Sequence, residues 1–397
     1  MFNYNQQYIT KSDIRHVVKS LKSNYITKGP YLKKFENRIK TFFKSKYCTV
    51  TSNATTSFFI ISKVLGWKKK DNIILSPMTF VAAANSVVDS GATPIFVDIK
   101  DEDQNLDPYL VEQKIIEFKK RKKKINAVIV TDYAGTPADW KKFYSLKKKY
   151  KFILINDNCH GIGSRYFDSF SYAANYADIV IHSYHAVKTI TSAEGGAILT
   201  NNKNIYLESN KIREHGFFKI KSNEPWESQL SSPGFNARLS ELNCALGISQ
   251  LNRLKKIVNL RKNFAVVYSE IFSKFEFIKI KKIKSLKESS NHLFNIRIDY
   301  KKLKIKKRDL HTILNKKFGI NLQVHYVPTY KFNLFKKFVN FKNINQNFLN
   351  TENYYKQTFS IPLHLGLNKK DLFYISKSII NSIKILKHAK KKNINFN

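Results

Sequence analysis

Between residues 47 and 202 the chain alternates short apolar runs with longer segments in which apolar residues recur at helical spacing. The apolar runs are rich in β-branched residues and end in small or polar residues, a pattern typical of buried strands. They are YCTVTS, NIILSP, PIFVDI, AVIVTDY, FILIND, DIVIHSY and GAILTN. This rhythm predicts an α/β fold with a mostly parallel seven-stranded sheet and helices on both faces. Ligands bind such sheets beyond the carboxyl ends of the strands.

Residues 8–45 also have apolar residues at helical spacing, which predicts helices ahead of the sheet. Ser12 and Asp13 are the candidates for the cap of the first helix, and residues 26–30 are expected to form a loop. The segment YLKKFENRIKTFF then predicts a second helix.

Residues 242–257 predict a single amphipathic helix, after which the composition of the chain changes. The remaining segment holds fewer strands and long lysine-rich helices, and residues 292–298 form its clearest strand. We therefore expect a large domain at 1–257 and a smaller C-terminal α/β domain at 258–397. A lysine run at 390–392 closes the last predicted helix.

The 397-residue chain has 43% hydrophobic and 14% aromatic residues, enough to fill the cores of two domains. It contains no apolar run of roughly 18 residues. It also begins without an apolar leader, so we expect a cytoplasmic protein. Its three cysteines, Cys48, Cys159 and Cys244, lie far apart without a CxxC pair. This spacing favours neither a disulfide framework nor a zinc site, and we expect no bound metal.

The formal net charge of +41 would ordinarily indicate a nucleic-acid partner. Two observations argue against that interpretation. The lysines are spread along the whole chain, and they accompany abundant Asn, Ile, Phe and Tyr, whose codons are AT-rich. The densest run, KKRKKK at 119–124, follows a helical segment, and we expect a solvent-exposed helix end there. The charge still attracts anionic ligands from a distance, and a nucleotide sugar is one such ligand.

Two charged residues follow neighbouring apolar strands. Lys188 comes shortly after ADIVI and before a Gly-Gly pair, and Asp157 ends the strand in FILIND. No lysine or arginine lies between Arg165 and Lys188, which in so lysine-rich a chain indicates a buried segment. A buried lysine has a lowered pKa and becomes nucleophilic. A lysine that forms a Schiff base and an acid that pairs with a pyridine nitrogen are what a pyridoxal phosphate site requires.

The segment 51–66 predicts a site for the phosphate of such a cofactor. It reads as a strand end, a polar turn and a helix start, where free backbone N–H groups and the hydroxyl of Thr55 or Thr56 can bind an anion. Ser183 can supply a further hydroxyl. An ordinary helix cap would give the same pattern.

Two rings near the predicted site have both a functional and a structural interpretation. Phe80 follows a strand end, where it can stack on a cofactor or fill the core. His160 lies three residues after Asp157, where it can contact the cofactor ring or serve the fold. Asp157 is harder to explain structurally, because an acid that ends an apolar strand needs a cation or a hydrogen-bond network.

Further segments run in order almost from end to end of the chain: ITKGP, SNATTS, PMTFVAAANSV, GATPIFVDI, DYAGTPADW, NDNCHGIGSRY, HSYHAVKTITSAEGGAILTNN, REHG, GFNARLSELNCALGISQL, QVHYVPTY and FSIPLH. With these segments the chain resembles the DegT/DnrJ-type sugar aminotransferases, which belong to the fold-type I pyridoxal phosphate enzymes. The resemblance implies a two-domain α/β enzyme that uses pyridoxal 5'-phosphate to aminate a nucleotide-linked keto-sugar.

The resemblance also implies roles for individual residues. Lys188 would hold the cofactor and shuttle the proton, and Asp157 would pair with the pyridine nitrogen. His160 would lie on the side of the ring hydroxyl, and Phe80 would cover the ring. The phosphate contacts would come from Ala54, Thr55 and Ser183.

Three further positions are implied in the same way. Asn236 would reach the phosphate from the neighbouring subunit, which makes a homodimer part of the active site. His325 and Tyr326 match a segment associated with the substrate side.

The chain departs from the family pattern without losing a catalytic group. Ala237 stands where an aromatic residue is usual, Asn156 replaces an acid, and His182 stands where Phe is common. Phe58 and Phe59 replace smaller residues after the phosphate turn. Ala237 and the Phe pair leave the shape of the sugar pocket open.

The expected reaction is the amination of a UDP-linked 4-keto-6-deoxy-N-acetylhexosamine, with L-glutamate as the amino donor. An alternative is a relative that acts on another nucleotide, another epimer or the sugar 3-position. A deoxygenating branch of the family uses a histidine in place of the lysine, so Lys188 argues against it. A remote alternative is a basic nucleic-acid-binding or regulatory protein on the same fold.

Overall fold

A computed structural model describes residues 1–220, 224 and 226–391. It contains the seven predicted strands in one sheet, in the order β1-β7-β6-β5-β4-β2-β3. Only β7 runs antiparallel to its neighbours in this sheet. The strands are β1 (Tyr47–Thr51), β2 (Asn72–Leu75), β3 (Thr93–Phe96), β4 (Ala127–Thr131), β5 (Ile153–Asp157), β6 (Ile179–Ser183) and β7 (Gly196–Thr200). The predicted fold class, α/β with a mostly parallel sheet, is confirmed.

Helices cover both faces of this sheet, as the alternation of its strand residues requires. Val128 and Val130 pack into the core on one face, whereas Ile129 between them packs into the core on the other. The helices up to residue 213 are α1 (Lys11–Leu21), α2 (Pro30–Phe43), α3 (Ala54–Val64), α4 (Ala82–Asp89), α5 (Pro108–Lys120), α6 (Trp140–Tyr150), α7 (Tyr172–Tyr176) and α8 (Lys203–Arg213).

The cap of α1 differs from the prediction. Thr10 is the N-cap, so Ser12 already lies inside the helix. Asp13 reaches back from the first turn and accepts hydrogen bonds from the Thr10 N–H at 2.8 Å and the Thr10 hydroxyl at 2.9 Å. The fully buried Asp13 carboxylate also pairs with Arg253, which ties the start of the chain to the large core.

The single helix predicted at 242–257 is wrong, because the chain breaks at Arg253 into α9 (Glu241–Asn252) and α10 (Leu254–Phe272). Helix α9 is also not amphipathic, since it packs against both α1 and α2 and buries most of its surface. At Gly247 a Cβ would lie 2.5 Å from the Phe35 ring. Because α9 is in contact with other helices on several sides, it has no continuous polar face, and its apolar residues show no clear helical periodicity.

Helix α10 passes through the predicted domain boundary at 257/258 and enters a second core. That core contains a three-stranded antiparallel sheet in the order β10-β11-β12, and β11 confirms the strand predicted at 292–298. An exposed hairpin, which the sequence pattern did not predict, precedes α9. The remaining elements are β8 (Phe217–Lys219), β9 (Ser228–Leu230), β10 (Ile278–Lys279), α11 (Ile283–Glu288), β11 (Phe294–Ile298), α12 (Tyr300–Leu303), α13 (Lys307–Phe318), α14 (Ile344–Asn347), α15 (Leu349–Gln357), β12 (Thr358–Ile361) and α16 (Lys369–Lys391).

The lysine-rich run at 119–124 is exposed and spans the end of α5 at Lys120, which confirms a solvent-exposed helix end. Of the second run, at 390–392, the last residue lies outside the described residues. Among the helices that the structure describes, none combines the length and the apolar character needed to cross a membrane.

Candidate active site

A cavity of about 590 Å³ opens beyond the carboxyl ends of the parallel strands, where the fold predicts a ligand. Nine of the ten predicted site residues line it: Ala54, Thr55, Phe80, Asp157, His160, Ser183, Lys188, His325 and Tyr326. The first seven come from the strand ends, loops and helix starts of the large sheet, and the last two come from the C-terminal part of the chain.

Lys188 lies in the loop that joins β6 to β7. The base of this loop is closed by the Tyr184 N–H, which donates to the Gly195 carbonyl at 2.8 Å, and by the Ser192 N–H, which donates to the Tyr184 carbonyl at 2.9 Å. Because β5 pairs with β6, Lys188 and Asp157 approach the cavity from neighbouring strands, as predicted.

The Lys188 amine lies in a partly buried position, and burial lowers its pKa. The nearby Cys159 and the Asp157 carboxylate favour the charged form, but they offset only part of the effect. A larger fraction of this amine is therefore neutral at a given pH than of an exposed lysine, which agrees with the nucleophilic role predicted for it.

Asp157 is held by two threonines that the sequence analysis missed. Its Oδ2 accepts from the hydroxyls of Thr79 at 3.3 Å and Thr131 at 3.2 Å, and its Oδ1 accepts from the Cys159 N–H at 3.2 Å. The carboxylate is 5% exposed, and within the described residues it forms no salt bridge with a lysine or arginine. A buried carboxylate that faces a cavity and has no salt-bridge partner among the described residues fits a protonated pyridine nitrogen.

The start of α3 forms a wall of the cavity that suits a phosphate. Asn53 caps this helix and accepts from the Thr56 N–H at 2.8 Å and the Thr56 hydroxyl at 2.9 Å. The Thr56 hydroxyl is thereby engaged, which leaves the backbone of Ala54 and Thr55 and the Thr55 hydroxyl to face the cavity. Such a helix start attracts anions through its N–H groups and its dipole.

Glycine at position 196 allows this helix start to lie directly on β7. A Cβ at Gly196 would lie 2.4 to 2.6 Å from the backbone of Asn53 and Ala54. Any side chain there would displace the turn that faces the cavity. The second glycine of the Gly-Gly pair, Gly196, is therefore required because a larger residue would not fit against the backbone of α3.

His160 is a buried, neutral hydrogen-bond donor. The Ala134 N–H donates to its Nδ1 at 3.3 Å, so the ring proton lies on Nε2, which donates to the Tyr326 hydroxyl at 2.9 Å. Burial, together with nearby cations of which Lys188 contributes most, holds the pKa of His160 well below its ordinary value. His160 thus presents a fixed donor at the cavity.

The two predicted substrate-side residues pack together with aromatic neighbours. The His325 Nδ1 lies 2.7 Å from the Ser360 hydroxyl, and burial lowers the pKa of His325 to about 3. The Phe80 ring, which is 56% exposed, lies 6.1 Å from the Tyr326 ring. An exposed Phe80 at the cavity mouth is not a core residue, which argues against its structural interpretation.

Asn236 is the one predicted site residue outside this cavity. It is exposed and forms an isolated bridge with Glu214 near the start of α9. The arrangement of one chain therefore leaves its side chain away from Lys188.

Other polar residues at the strand ends serve the fold. Asp132, fully buried after β4, accepts from the Trp140 indole N–H at 2.9 Å and the Tyr172 hydroxyl at 2.7 Å. Burial raises the pKa of Asp132 to about 6. The Asn156 amide, which replaces an acid, donates to the same carboxylate at 3.1 Å. A second acid at position 156 would repel the Asp132 carboxylate, and this repulsion explains why an asparagine suits the position.

The positions that depart from the family pattern are all placed by the structure. Phe58 is buried, and its ring takes up space at the wall of the cavity. Phe59 lies in a half-buried position. Ala237 is buried, and its carbonyl accepts from the Ser52 N–H at 2.8 Å. Nothing in the structure explains why alanine rather than an aromatic residue stands there.

Several cavity residues escaped the sequence analysis: Tyr4, Asn53, Thr79, Thr131, His185, Glu194 and His292. Thr131 ends β4 and Thr79 follows β2, so a search of every strand end for hydroxyls would have found them. Tyr4 and His292 carry no such signal, because they reach the cavity from segments outside the large sheet.

These observations together test whether the residues present fit pyridoxal phosphate. The cavity combines a lysine with a lowered pKa, a buried carboxylate without a salt bridge, and a helix start that a side chain at position 196 would displace. These are respectively the amine, the ring-nitrogen partner and the phosphate cradle that the cofactor needs. The residues fit.

Comparison with known proteins gives matches along nearly the whole chain. A family model described as the DegT/DnrJ/EryC1/StrS aminotransferase family matches residues 7–380. A UDP-4-amino-4,6-dideoxy-N-acetyl-beta-L-altrosamine transaminase of Campylobacter jejuni subsp. jejuni (serotype O:23/36, strain 81-176) is 34% identical over 98% of this chain and 99% of that protein.

Two solved structures extend this likeness to three dimensions. Helicobacter pylori PseC, an aminotransferase involved in the biosynthesis of pseudoaminic acid, has a TM-score of 0.87 and 29% identity over 97% of this chain and 99% of its own. The PLP form of a putative sugar aminotransferase from Streptococcus pneumoniae has a TM-score of 0.85 and 26% identity, again over 97% of this chain and 99% of its own.

Proposed function

The chain belongs to the DegT/DnrJ/EryC1/StrS aminotransferase family, and on that premise we propose that it aminates a UDP-linked 4-keto-6-deoxy-N-acetylhexosamine at C4. It is a pyridoxal phosphate enzyme of the aminotransferase class. L-Glutamate is the proposed amino donor. The names of the full-length relatives support the UDP-sugar and the 4-amino product.

One observation carries the chemical part of this proposal. A single cavity holds Lys188, Asp157 and the start of α3, three groups that reach it from three separate segments of the chain. When bound, pyridoxal phosphate supplies an electron sink for the charge left on a carbon that loses its proton. The residues of the chain must then hold the cofactor, move the proton and exclude water.

Lys188 is the group proposed to move the proton. Its lowered pKa favours the neutral amine more than in an exposed lysine, and the neutral amine can take up a proton at one carbon and return it at sugar C4. Asp157 presents its carboxylate where a positive ring nitrogen would lie, and the threonine hydroxyls fix its direction. His160, whose Nε2 donates to the Tyr326 hydroxyl, lies on the ring hydroxyl side, and burial disfavours its charged form.

The phosphate and substrate sides are proposed to lie at opposite ends of the cavity. Ala54, Thr55 and Ser183 hold the phosphate at the start of α3. Phe80 covers the ring, and His325 and Tyr326 face the sugar from the C-terminal part of the chain.

The active enzyme is proposed to be a homodimer with shared sites. Asn236 is exposed and outside the cavity of its own chain, as a residue that serves the partner's phosphate site would be. We also place the enzyme in the cytoplasm. Its cysteines, Cys48, Cys159 and Cys244, are free, and free thiols suit a reducing compartment.

Replacement of the lysine tests the proposed role most simply. The Lys188→Ala variant is expected to lose turnover and the visible absorbance of the bound cofactor, because among the described residues no other lysine lines the cavity. Lys203→Ala, at the exposed start of α8, is the matched control and should behave as the wild type. Normal turnover by Lys188→Ala would refute the assignment.

A further inference from the structure

The first six residues, which we name the N-terminal strap, connect the C-terminal core to the cavity. The Phe2 N–H donates to the Gly319 carbonyl at 2.7 Å, and the Phe2 carbonyl accepts from the Asn321 N–H at 2.9 Å. The Tyr4 carbonyl accepts from the Leu363 N–H at 3.0 Å. The Tyr4 side chain then lines the cavity, so the strap is part of the wall around the site.

Asn5, the next residue of the strap, binds the lysine loop directly. Its Nδ2 donates to the Val187 carbonyl at 2.6 Å, across 182 positions of sequence. That carbonyl belongs to the peptide bond between Val187 and Lys188. The hydrogen bond therefore holds the backbone at the point where the Lys188 side chain begins.

The surroundings of Asn5 settle the direction of its amide. Its Oδ1 accepts from the Gln6 N–H at 2.9 Å and lies 3.5 Å from Nη1 of Arg261, so both neighbours of this atom are donors. A flipped amide would set its NH₂ against the guanidinium and its oxygen against the Val187 carbonyl. Because Asn5 is only 5% exposed, water cannot readily replace the lost contacts.

Arg261 joins this contact to the other wall of the cavity. It is 1% exposed, and it donates to the carbonyls of Asn291 at 3.0 Å and His292 at 2.8 Å. The His292 ring lines the cavity, and its centroid lies 4.4 Å from that of His160. A buried guanidinium that binds backbone carbonyls fixes the segment that carries them.

We propose that Asn5 is a positioning residue for Lys188, and that the N-terminal strap, through Asn5 and Arg261, sets the lysine loop against the wall formed by His292 and His160. The inference rests on the proposed function, because it assigns Lys188 as the residue that must be held. Proton transfer depends steeply on the placement of the amine, so a small displacement of the loop lowers the rate. Substrate binding, which we assign to His325 and Tyr326 rather than to the lysine loop, is affected less.

The Asn5→Asp variant separates the two contacts of the amide. It keeps an acceptor for the Gln6 N–H and Arg261, but it replaces the donor to the Val187 carbonyl with a second oxygen, so the loop is repelled. We expect kcat to fall about tenfold with KM little changed. We also expect cofactor-free protein to capture added pyridoxal phosphate more slowly, as followed by its visible absorbance. Gln6→Glu, an exposed neighbour with the same added charge, is the matched control.

Three outcomes distinguish the inference from the function on which it rests. If the wild type fails to capture the cofactor through Lys188, both the proposed function and the inference fall. If the wild type captures it and Asn5→Asp does so at the same rate with unchanged kcat, only the role of Asn5 is refuted. If Asn5→Asp loses thermal stability, Asn5→Ser at matched fraction folded must still show the slow capture. A normal rate in that variant also refutes the role.

Discussion

Asp157 takes its direction from hydroxyl groups on other segments of the sheet. Thr131, at the end of β4, and Thr79, after β2, both donate to the same carboxylate oxygen, and they contact each other at 3.1 Å. The carboxylate is therefore oriented before any ligand arrives. Orientation of this kind matters because the proposed contact with the ring nitrogen is a single charged hydrogen bond.

The Thr131→Val variant removes one of these donors and keeps the shape of the side chain. We expect the affinity for pyridoxal phosphate to fall about tenfold, since a buried carboxylate loses a hydrogen bond and its direction. Equilibrium titration of the cofactor-free protein measures the change. Thr200→Val is the control, because its hydroxyl binds the Asp178 carbonyl at 2.8 Å and lies outside the cavity lining. Equal affinities for both variants would contradict the assignment.

His182 predicts how stability depends on pH. It is fully buried with Nε2 unpaired, and burial lowers its pKa to about 3. In the unfolded chain the imidazole of His182 takes up a proton near pH 6.5, whereas in the folded chain it does so only near pH 3. The free energy of unfolding therefore falls as the pH falls through this window, by about 1.4 kcal/mol per pH unit for this residue at most.

Replacing His182 with the phenylalanine common in the family should reduce the dependence of the unfolding free energy on pH by the contribution of one proton. The Tyr184 hydroxyl, 2.9 Å from His182 Nδ1, loses its partner in the variant. The double variant His182→Phe/Tyr184→Phe therefore serves as the control for absolute stability. Urea unfolding at several pH values measures the slope, and an unchanged slope in both variants would show that His182 does not titrate as described.

Among the elements, α3 and β7 form the contact on which the phosphate site depends. The Gly196→Ala variant should displace the start of α3, because its Cβ would lie within 2.6 Å of the Asn53 and Ala54 backbone. We expect weaker binding of both pyridoxal phosphate and inorganic phosphate, measured by calorimetry. Gly247→Ala is the matched control, since its Cβ meets the Phe35 ring 2.5 Å away in a different packing contact. It should lower stability and leave phosphate affinity unchanged, and the reverse pattern would contradict the assignment.

The elements also show what sequence patterns can predict. The seven strands were predictable because each is a short apolar run with polar residues at its end, and their parallel order brings Lys188 and Asp157 to one edge. The sequence pattern did not separate helices α9 and α10, since α9 is buried on several sides and its apolar residues therefore show no helical periodicity. The role of Asn5 could not be predicted from the sequence for another reason. Its partner lies 182 positions away, and a tertiary contact at that distance leaves no mark in local spacing.

At the scale of the whole molecule, the proposed shared site makes a prediction about mixed subunits. Neither Lys188→Ala nor Asn236→Ala should have full activity alone. If Asn236 serves the partner's site, a hybrid dimer of the two variants contains one intact site. Refolding an equal mixture should then restore activity to about a quarter of the wild type. No recovery, with hybrids confirmed by mass, would place Asn236 in its own chain's site or in none.

The net charge of +41 is a property of the whole chain. The lysines of the run at 119–124 are exposed, as are many others, and the field they create acts on any anion that approaches. Under the proposed function, the UDP-linked sugar is one of the anions on which this field acts.

The central claim is that this cavity transfers an amino group to the C4 position of a UDP-linked sugar. The most direct measurement starts from the protein loaded with pyridoxamine phosphate and adds candidate keto-sugars one at a time. We expect the visible absorbance of bound pyridoxal phosphate to return with a UDP-4-keto-6-deoxy-N-acetylhexosamine, together with a 4-amino sugar identified by NMR. Return of the absorbance only with 3-keto sugars or other nucleotides, or with no keto-sugar at all, would contradict the account.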